Sequence, residues 1–500
     1  MMIPAVIGVP PGNPEAQLEV GELLVVIGPP EQARSPWVQG LIAGAVAALS
    51  RNHHYLHYHI GFIGGSGGTP YVVLDWRQSG QGPLERRWLA HKVYAQVAAM
   101  FNLKRIAIYM EGGSAGPELA LAEDLWTRYL NPRYQLSKLT SLRLLTPEGD
   151  ALHAADPHLA VRLKAQLGFR QWVNENPDEL TSIELGNRLA AFCSEFNCTF
   201  ESLGRERLSE LGMNLLLAVG QASERSPSRL HIATSGMQPG LKPLLLIGKG
   251  ITFDTGGINL KPHEGFVNCM KNDMGGAGLM IQLFMALVSS GYAGPLAVVI
   301  PCCENLIDAK AMKPGAIIRA YNGKDVIIEH TDAEGRLILA DAITYAQQQM
   351  RPALTLTAAT LTTASLRQFS NFFTPVHFAS SAFQASLTQA GKTCGEEFTF
   401  WGEFLPFLQG NATNAADLTN MGRMPSHSSI GGGSSVAAHF LNEFATSPLV
   451  HLDIFATTWN WSGDYPGAHY GATGAPFNAL FRCLREAADP ARLAAATKVS

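Results

Sequence analysis

The first part of the chain alternates short apolar runs with segments of helical periodicity. The apolar runs occupy residues 21–28, 71–76 and 104–110, and the helical patterns occupy 37–50 and 85–101. Strands and helices that alternate in this way are typical of a layered α/β domain. We therefore predict an α/β domain over residues 1–160.

A single segment of helical pattern follows at residues 157–173, with Asp156 as the candidate N-cap. Pro177 and the asparagines on its N-terminal side interrupt this pattern. We predict one connecting helix here and a boundary between two domains near residue 160.

Residues 161–500 predict a second, larger α/β domain. A helical pattern covers 180–197, and apolar runs that favour strands follow at 215–223, 229–234, 243–250, 295–301, 325–349, 353–362 and 448–459. Continuous apolar runs are typical of strands that are buried on both faces of a sheet. The prediction is a central mixed sheet flanked by helices.

Composition narrows the classes of function. Of the 500 residues, 46% are apolar and 16% are charged, which excludes a disordered or fibrous chain. A formal net charge of -4 argues against a nucleic-acid binder. No run reaches the ~18 apolar residues that a membrane span needs, the start lacks the basic segment of a signal peptide, and the seven cysteines form no CxxC pair. We expect a cytoplasmic protein without nucleic-acid or membrane partners.

Charged residues are concentrated at the ends of three predicted strands or loops. The segments GKGITFDTGGINLKP, MKNDMGGAG and HTDAEGR could bring together four carboxylates, two of their lysines and one arginine, which are Asp254, Asp273, Asp332, Glu334, Lys249, Lys261 and Arg336. In an extended chain, residues i and i+2 project to the same side, so Asp332 and Glu334 can face one point.

Four carboxylates in one cleft repel each other unless cations neutralise them. Two divalent ions would balance the four charges, and paired metals are a recurring device of hydrolytic enzymes. Oxygen ligands without cysteine favour Zn, Mn, Mg or Co in a catalytic site. Lys261 and Arg336 then remain as positive charges that can stabilise a negatively charged transition state or bound anion.

A structural role is the alternative for each acid taken alone. The segment TDAEGRLILAD can also begin a helix, with Thr331 or Asp332 as the N-cap. Three such segments in one chain are much harder to attribute to capping.

These three segments resemble the signatures of the leucyl aminopeptidase family, peptidase family M17, also called cytosol aminopeptidases. WVNENPDELT, NLLLAVGQAS, PCCENL, ATLT, VHLDI and GATG resemble other segments of that family in the same order. The resemblance covers about residues 170–490. It implies a macro-like N-terminal α/β domain followed by a catalytic bimetallic aminopeptidase domain.

The resemblance also implies a set of metal ligands. One tightly held divalent ion is implied at Lys249, Asp254, Asp273 and Glu334, and a more exchangeable ion at Asp254, Asp332 and Glu334. Asp254 and Glu334 would bridge the two ions, which are Zn or Mn, with Mg or Co possible at the exchangeable site. Lys249 can be a ligand only as the neutral amine.

Further roles are implied for the remaining cations. Lys261 would polarise the scissile carbonyl, and Arg336 would hold a bicarbonate that serves as general base for a metal-bridging water. The substrates implied are peptides with a free N-terminus, and the implied assembly is a homohexamer.

The family's pocket for the first substrate side chain corresponds to Met270, Thr360, Thr363 and Phe455. This sequence has Thr363 and Phe455 where glycine and alanine are usual, and His330 where asparagine is usual. We expect these departures to reshape the pocket and to disfavour leucine, unless Phe455 turns away and packs in the core.

Two other readings of the same residues stay open at this point. A two-metal phosphatase or nuclease also uses carboxylate clusters. A catalytically weak or inactive hexameric relative could keep the site as part of a scaffold or binding protein.

Overall fold

The structure is a computed structural model. It describes residues 157–262, 266–421, 432–461 and 471–486, together with the backbone of seven strands nearer the N-terminus. The chain divides into two compact units. One comprises Met1–Leu167, Gly391–Glu396 and Ser462–His469, and the other comprises Gly168–Ala390, Glu397–Trp461 and Tyr470–Ser500.

The first unit contains a seven-stranded mixed sheet. In chain order its strands are β1 Val6–Gly8, β2 Glu22–Ile27, β3 Leu49–His53, β4 Leu56–Ile63, β5 Thr69–Asp75, β6 Arg105–Met110 and β7 Ser141–Thr146. The spatial order is β1-β7-β6-β2-β5-β4-β3. Neighbours are parallel from β1 to β5, and β4 and β3 add antiparallel at one edge.

Three strands of this sheet, β2, β5 and β6, coincide with the apolar runs of the sequence. The helical patterns at 37–50 and 85–101 lie outside the described residues, except that Leu49 and Ser50 belong to β3. The candidate N-cap Asp156 also lies outside them. The predicted connecting helix is α1, Leu159–Asn174.

The second unit is built on a larger mixed sheet with the order β17-β16-β19-β15-β10-β12-β9-β8, with β11 paired to β12. Its strands are β8 Thr199–Leu203, β9 Arg229–Ser235, β10 Leu244–Gly248, β11 Gly250–Asp254, β12 Leu296–Asn305, β15 Leu354–Ala359, β16 Phe373–His377, β17 Glu397–Trp401 and β19 Leu449–Asp453. The central neighbours β19, β15, β10 and β12 are parallel.

A small separate sheet joins β13 Ile317–Arg319, β14 Asp325–Ile327 and β18 Leu418–Thr419. The described helices that follow α1 in chain order are α2 Ser182–Glu195, α3 Arg205–Leu211, α4 Asn214–Val219, α5 Gly275–Ser289, α6 Gly335–Met350, α7 Thr363–Phe369, α8 Ser381–Cys394, α9 Leu405–Gln409, α10 Gly433–Asn442, α11 Phe455–Thr458 and α12 Phe477–Glu486.

The core of this unit explains why its central strands are continuously apolar. Every residue of β10 is buried. Leu245 and Ile247 pack in one cluster with apolar residues of α4, α6 and α10, while α5 packs against β10, β12 and β15. Because alternate residues of a strand point to opposite faces, helices cover both faces of the sheet. The predicted central mixed sheet flanked by helices is confirmed.

Two predicted strands were wrong. Residues 215–223 fall largely in α4, because a run of leucines and alanine favours a helix over a strand. Of the run 325–349, only Asp325–Ile327 is a strand, and it belongs to the small sheet; the rest supplies α6. Among the described residues, no helix has the length and apolar character needed to cross a membrane.

Candidate metal centre

The charged side chains singled out in the sequence lie where strands of the second unit end. Lys249 is the single residue between β10 and β11, and Asp254 is the last residue of β11. Asp273 lies on the 3₁₀ helix Val267–Met274. Glu334 occupies the N-cap position of α6, with helical backbone angles rather than the extended conformation that the spacing predicts.

Lys249 lies at the centre of one group of contacts. Its Nζ lies 2.8 Å from Oδ1 of Asp273 and 2.8 Å from Oε1 of Glu334, and it donates to the carbonyl of Thr360 at 2.9 Å. A Cβ atom at Gly335 would lie 2.6 Å from Cδ and Cε of this lysine. Glycine at 335 therefore leaves the space through which the lysine side chain passes.

Lys261 forms a second group with Asp254 and Asp332. Its Nζ lies 2.8 Å from Oδ2 of Asp254 and also contacts Oδ1 of Asp332. Oδ1 of Asp254 accepts hydrogen bonds from the backbone N–H of Gly256 and from the amide of Asn305, both at 2.8 Å. Asp254 is thus fixed on both oxygens.

The carboxylates converge and are not fully paired. One oxygen each of Asp254, Asp332 and Glu334 lies within 4.8 Å of the others. Oδ2 of Asp273 and Oε2 of Glu334 are buried and have no hydrogen-bond partner among the residues that the structure describes. Because a buried unpaired carboxylate oxygen is costly, and because four carboxylates face only two paired lysines, these residues fit divalent cations with oxygen ligands.

The pKa shifts reflect the same crowding. Burial raises the pKa of Asp332, and the charges of Asp254 and Glu334 raise it further. Burial alone would lower the pKa of Lys249 and of Lys261, but the surrounding carboxylates outweigh burial and raise the pKa of both. The two ammonium groups therefore neutralise only part of the cluster, and a divalent cation would relieve the remaining repulsion.

Arg336 lies on the first turn of α6, and its guanidinium is buried. Burial lowers the pKa of Arg336 to about 10, against the opposing charges of Glu334 and Asp453. Its Nε has no hydrogen-bond partner, and no carboxylate of the described residues forms a salt bridge with it. A buried cation in this state can receive a small anion.

The four residues predicted to line the substrate pocket differ in exposure. Met270 and Thr360 are buried, and the hydroxyl of Thr360 donates to Oδ1 of Asp273 at 2.9 Å. Thr363 is exposed on the first turn of α7. Phe455 is buried and stacks on Trp461, with ring centroids 4.9 Å apart.

Among the described residues, hydrogen bonds and ion pairs join seven of the predicted site residues into two groups, Lys249, Asp273, Glu334 and Thr360 in one and Lys261, Asp254 and Asp332 in the other. The two groups meet where oxygens of Asp254, Asp332 and Glu334 lie within 4.8 Å of one another. Met270, Thr363, Phe455 and Arg336 stand outside this set of contacts.

Comparison with known proteins decides the family. The protein-family model described as "Cytosol aminopeptidase family, catalytic domain" matches residues 168–481 of the chain. The chain belongs to the cytosol aminopeptidase family. The matched residues include every member of the charged cluster, and the resemblance inferred from the sequence is confirmed. A peptidase that is metal-dependent and acts on peptides follows from membership in this family.

Two relatives illustrate the extent of the similarity. A "Probable cytosol aminopeptidase" of Acidovorax ebreus (strain TPSY) is 32% identical over 396 residues, which are 77% of this chain and 77% of the relative. A protein of the same description from Solibacter usitatus (strain Ellin6076) is 34% identical over 394 residues, covering 76% of this chain and 79% of the relative.

A solved structure shares the fold of this chain. "Bottromycin maturation enzyme BotP in complex with Mn" superimposes with a TM-score of 0.73, covering 93% of this chain and 99% of that chain at 24% sequence identity. At this identity the similarity supports the α/β architecture alone.

Sequence reasoning missed the residues that support the charged cluster through hydrogen bonds to Asp254 and to the loop that carries Asp332. Asn305 donates both to Asp254 and to the carbonyl of Thr331, at 2.8 and 3.1 Å. Asn420 accepts from the backbone of Glu329 at 2.8 Å and donates to the carbonyl of His330 at 2.7 Å. Asn305 lies in the segment PCCENL, whose resemblance to the family could have identified it. The sequence around Asn420 contains no comparable pattern.

Proposed function

We propose that this chain removes the N-terminal residue from peptides by using two divalent metal ions. The observation that carries the proposal is the convergence of carboxylate oxygens from Asp254, Asp332 and Glu334 within 4.8 Å. The buried, unpartnered oxygens of Asp273 and Glu334 support it. Lys249, 2.8 Å from both Asp273 and Glu334, completes the proposed ligand set.

When bound, the ions would polarise the substrate carbonyl and activate a water molecule as the nucleophile. Asp254 and Glu334 would be ligands shared by the two ions. Oxygens of both lie in the converging cluster with Asp332, and Glu334 also lies 2.8 Å from Lys249, the ligand proposed for the more tightly held ion. Lys249 would have to lose its proton to act as a ligand. The carboxylates that now raise its pKa would then be turned towards cations, which favours the neutral amine.

Lys261 would stabilise the negative charge that develops on the carbonyl oxygen. In the structure its ammonium group is shared between Asp254 and Asp332. Once cations compensate these carboxylates, the ammonium hydrogens are available to a substrate oxygen. A preorganised charge of this kind acts most strongly in a site that excludes water.

Arg336 would bind a bicarbonate ion that serves as general base. The support for this role is the buried guanidinium without a salt bridge among the described residues. An anion held there would remain unprotonated beside a fixed positive charge, which suits a group that must accept a proton.

Zinc and manganese are the ions we propose, with magnesium or cobalt possible at the more exchangeable site. Carboxylate oxygens and one amine can accept all four ions, so the ligand types alone do not choose among them. Manganese is a reasonable first probe because the structurally similar BotP is described in complex with Mn.

The substrate's first side chain would lie against Met270, Thr360, Thr363 and Phe455. Phe455 stacks on Trp461, and a phenyl ring at this position occupies more space than the methyl group of alanine would. We propose that small or polar first residues are accepted better, relative to leucine, than a pocket with glycine and alanine would allow.

The proposed assembly is a homohexamer that works in the cytoplasm. We also propose that residues 1–160 form an N-terminal domain and residues 161–500 the catalytic domain. The apolar, charge-poor composition is compatible with burial of further surface between copies. Light scattering and sedimentation would measure the number of chains directly.

The experiment that tests the proposed function is hydrolysis of aminoacyl-arylamides by the full chain, with and without Mn or Zn, before and after chelation. We expect activity that is lost on chelation and restored by either ion. Phosphodiester or phosphomonoester cleavage in place of arylamide cleavage would favour a two-metal phosphatase or nuclease. Metal binding without any hydrolysis would favour the scaffold or binding protein.

A further inference from the structure

Asp453 lies at the end of β19 and joins three segments of the second unit. Its side chain is fully buried. Oδ1 accepts hydrogen bonds from the backbone N–H groups of Leu361, Thr362 and Phe455, each at 3.3 Å. Oδ2 accepts a hydrogen bond from the hydroxyl of Thr362 at 2.6 Å. The carboxylate therefore fixes the turn that follows β15.

Burial raises the pKa of the Asp453 carboxyl, and the hydroxyls of Thr362 and of Ser434, which lies at the start of α10, oppose this rise. The hydroxyl of Ser434 also lies 3.1 Å from Nε2 of His377. Every hydrogen-bonding neighbour of Asp453 thus offers an N–H or O–H group. Only a carboxylate accepts from all of them, because the amide of asparagine would turn two hydrogens towards some of these donors.

The turn that Asp453 fixes reaches the proposed metal ligands directly. The carbonyl of Thr360 accepts from Nζ of Lys249 at 2.9 Å, and the Thr360 hydroxyl donates to Oδ1 of Asp273 at 2.9 Å. Thr360 immediately precedes Leu361, whose N–H is held by Asp453. A shift of this turn would therefore move both contacts to the ligands.

An ion pair with a cation does not explain the position of Asp453. Asp453 forms no salt bridge with Arg336 or with any other cation of the described residues, although its charge acts on Arg336 at longer range. Its contacts are to the backbone and hydroxyls of the turn. The route from Asp453 to the charged cluster runs through Thr360.

We propose that Asp453 is a positioning residue of the metal centre, which holds the Thr360–Thr362 turn so that Lys249 and Asp273 keep the geometry of metal ligands. This inference rests on the proposed function, because it requires those two residues to bind metal. Substitution of residues that hold metal ligands in place without binding the metal themselves commonly lowers metal affinity by about 10- to 100-fold.

The test is a titration of chelated, metal-free full chain with Co²⁺, followed by visible absorption and by the bound metal content. Asp453→Asn is expected to weaken cobalt binding about 10-fold or more and to change the absorption bands, because the ligand field changes. Thr362→Val removes one donor and is expected to give a smaller change of the same kind. Its effect should add less than fully to that of Asp453→Asn, since the hydroxyl of Thr362 acts through its hydrogen bond to Asp453.

Asp341→Asn is the matched control. Asp341 is also a fully buried carboxylate, and it accepts backbone hydrogen bonds from Leu215, Leu216 and Tyr321 at 2.8–3.2 Å. It contacts none of the proposed ligands. We expect this variant to lose stability but to keep the cobalt affinity and spectrum of the wild type.

Wild-type cobalt affinity and spectrum in Asp453→Asn would overturn the positioning role, as would an equal loss in Asp341→Asn. If Asp453→Asn does not fold, Thr362→Val decides: an unchanged cobalt spectrum and affinity would overturn the proposal. Failure of the wild type itself to bind cobalt would instead contradict the proposed function, so the two failures are distinguishable.

Discussion

The ammonium nitrogen of Lys261 lies 2.8 Å from a carboxylate oxygen of Asp254, the residue that ends β11. The same nitrogen contacts Asp332, so one lysine spans two of the three converging carboxylates. A cation bound by these carboxylates would compete with Lys261 for the same oxygens. In the proposed function, Lys261 acts on the substrate and does not serve as a metal ligand.

Lys261→Ala is therefore expected to keep both metal ions and to lose turnover. Loss of one preorganised donor to a developing oxyanion lowers kcat by roughly 100- to 1000-fold. Metal content and kcat should be measured together, with Lys324→Ala as control because Lys324 pairs with Glu443 and touches no site residue. Loss of metal in parallel with turnover would show that Lys261 helps to hold the ions.

Asn420 is expected to control how tightly the loop that carries Asp332 binds a metal ion. Its side chain makes hydrogen bonds to the backbone of Glu329, His330 and Ala333 at 2.7–3.3 Å. Asn420→Ala leaves these groups unpaired, and we expect about 10- to 100-fold weaker manganese binding by calorimetry.

Asn411→Ala is the matched control for Asn420→Ala. Asn411 is buried, and its side chain donates to the carbonyl of Val436 at 2.9 Å and not to the loop that carries Asp332. We expect this variant to bind manganese as the wild type does. If both variants bind manganese as tightly as the wild type does, the loop keeps its shape without Asn420.

His231 is expected to make the protein less stable in mild acid. It is buried, its Nε2 lies 2.7 Å from the carbonyl oxygen of Ser182, and its Nδ1 has no hydrogen-bond partner in the described part of the chain. Burial lowers the pKa of His231 to about 4, helped by the charge of Arg229 and opposed by the Ser182 hydrogen bond. The unfolded chain, with a pKa near 6.5, binds the proton more readily.

Stability should therefore be complete above about pH 6.5 and fall as the pH drops towards 4, by up to ~1.4 kcal/mol per pH unit from this residue. His231→Gln keeps a donor for Ser182 and removes the titration. Urea unfolding at several pH values should give a shallower dependence for the variant. Identical slopes between pH 6.5 and 4.5 would show that His231 is not responsible.

Substrate preference should depend on Phe455 and Thr363. Phe455 stacks on Trp461, which in turn contacts the ring of Phe266 edge-on at 5.1 Å between centroids. Removing the ring in Phe455→Ala/Thr363→Gly should raise kcat/KM for leucyl- relative to alanyl-arylamide by about 10-fold or more. Phe404→Ala, an exposed aromatic substitution on another segment, is the control.

A wild type that already prefers leucine strongly, with a ratio that the double substitution leaves unchanged, would contradict a filled pocket. It would mean that Phe455 packs away from the substrate. The exposed position of Thr363 makes Phe455 the more informative single substitution of the two.

The sequence was most informative where burial alone decides structure. The runs that became β9, β10, β12, β15 and β19 are apolar because both faces of the sheet are covered, and that pattern is visible without a structure. It failed for α4, where an equally apolar run is helical, since periodicity does not separate a buried helix from a buried strand.

The charged residues of the site were also visible as local segments, but their supports were not. Asn420 bonds to a loop 91 residues earlier in the chain, and Asp453 bonds to Thr362 over the same separation. Such partners are set by which strands are neighbours in the sheet. The spacing of Asp332 and Glu334 suggested convergence, yet Glu334 achieves it from a helical conformation at the start of α6.

The most direct test of the account is the number of metal ions that activity requires. Chelated full-length protein should be titrated with Mn²⁺ or Zn²⁺ while aminoacyl-arylamide hydrolysis and bound metal are recorded together. We expect no activity without metal, a maximum at about two ions per chain, and loss of both metal and activity in Asp254→Ala and Glu334→Ala, since both residues would be shared by the two ions. Full activity after chelation, or two bound ions and full activity in either variant, would contradict this expectation.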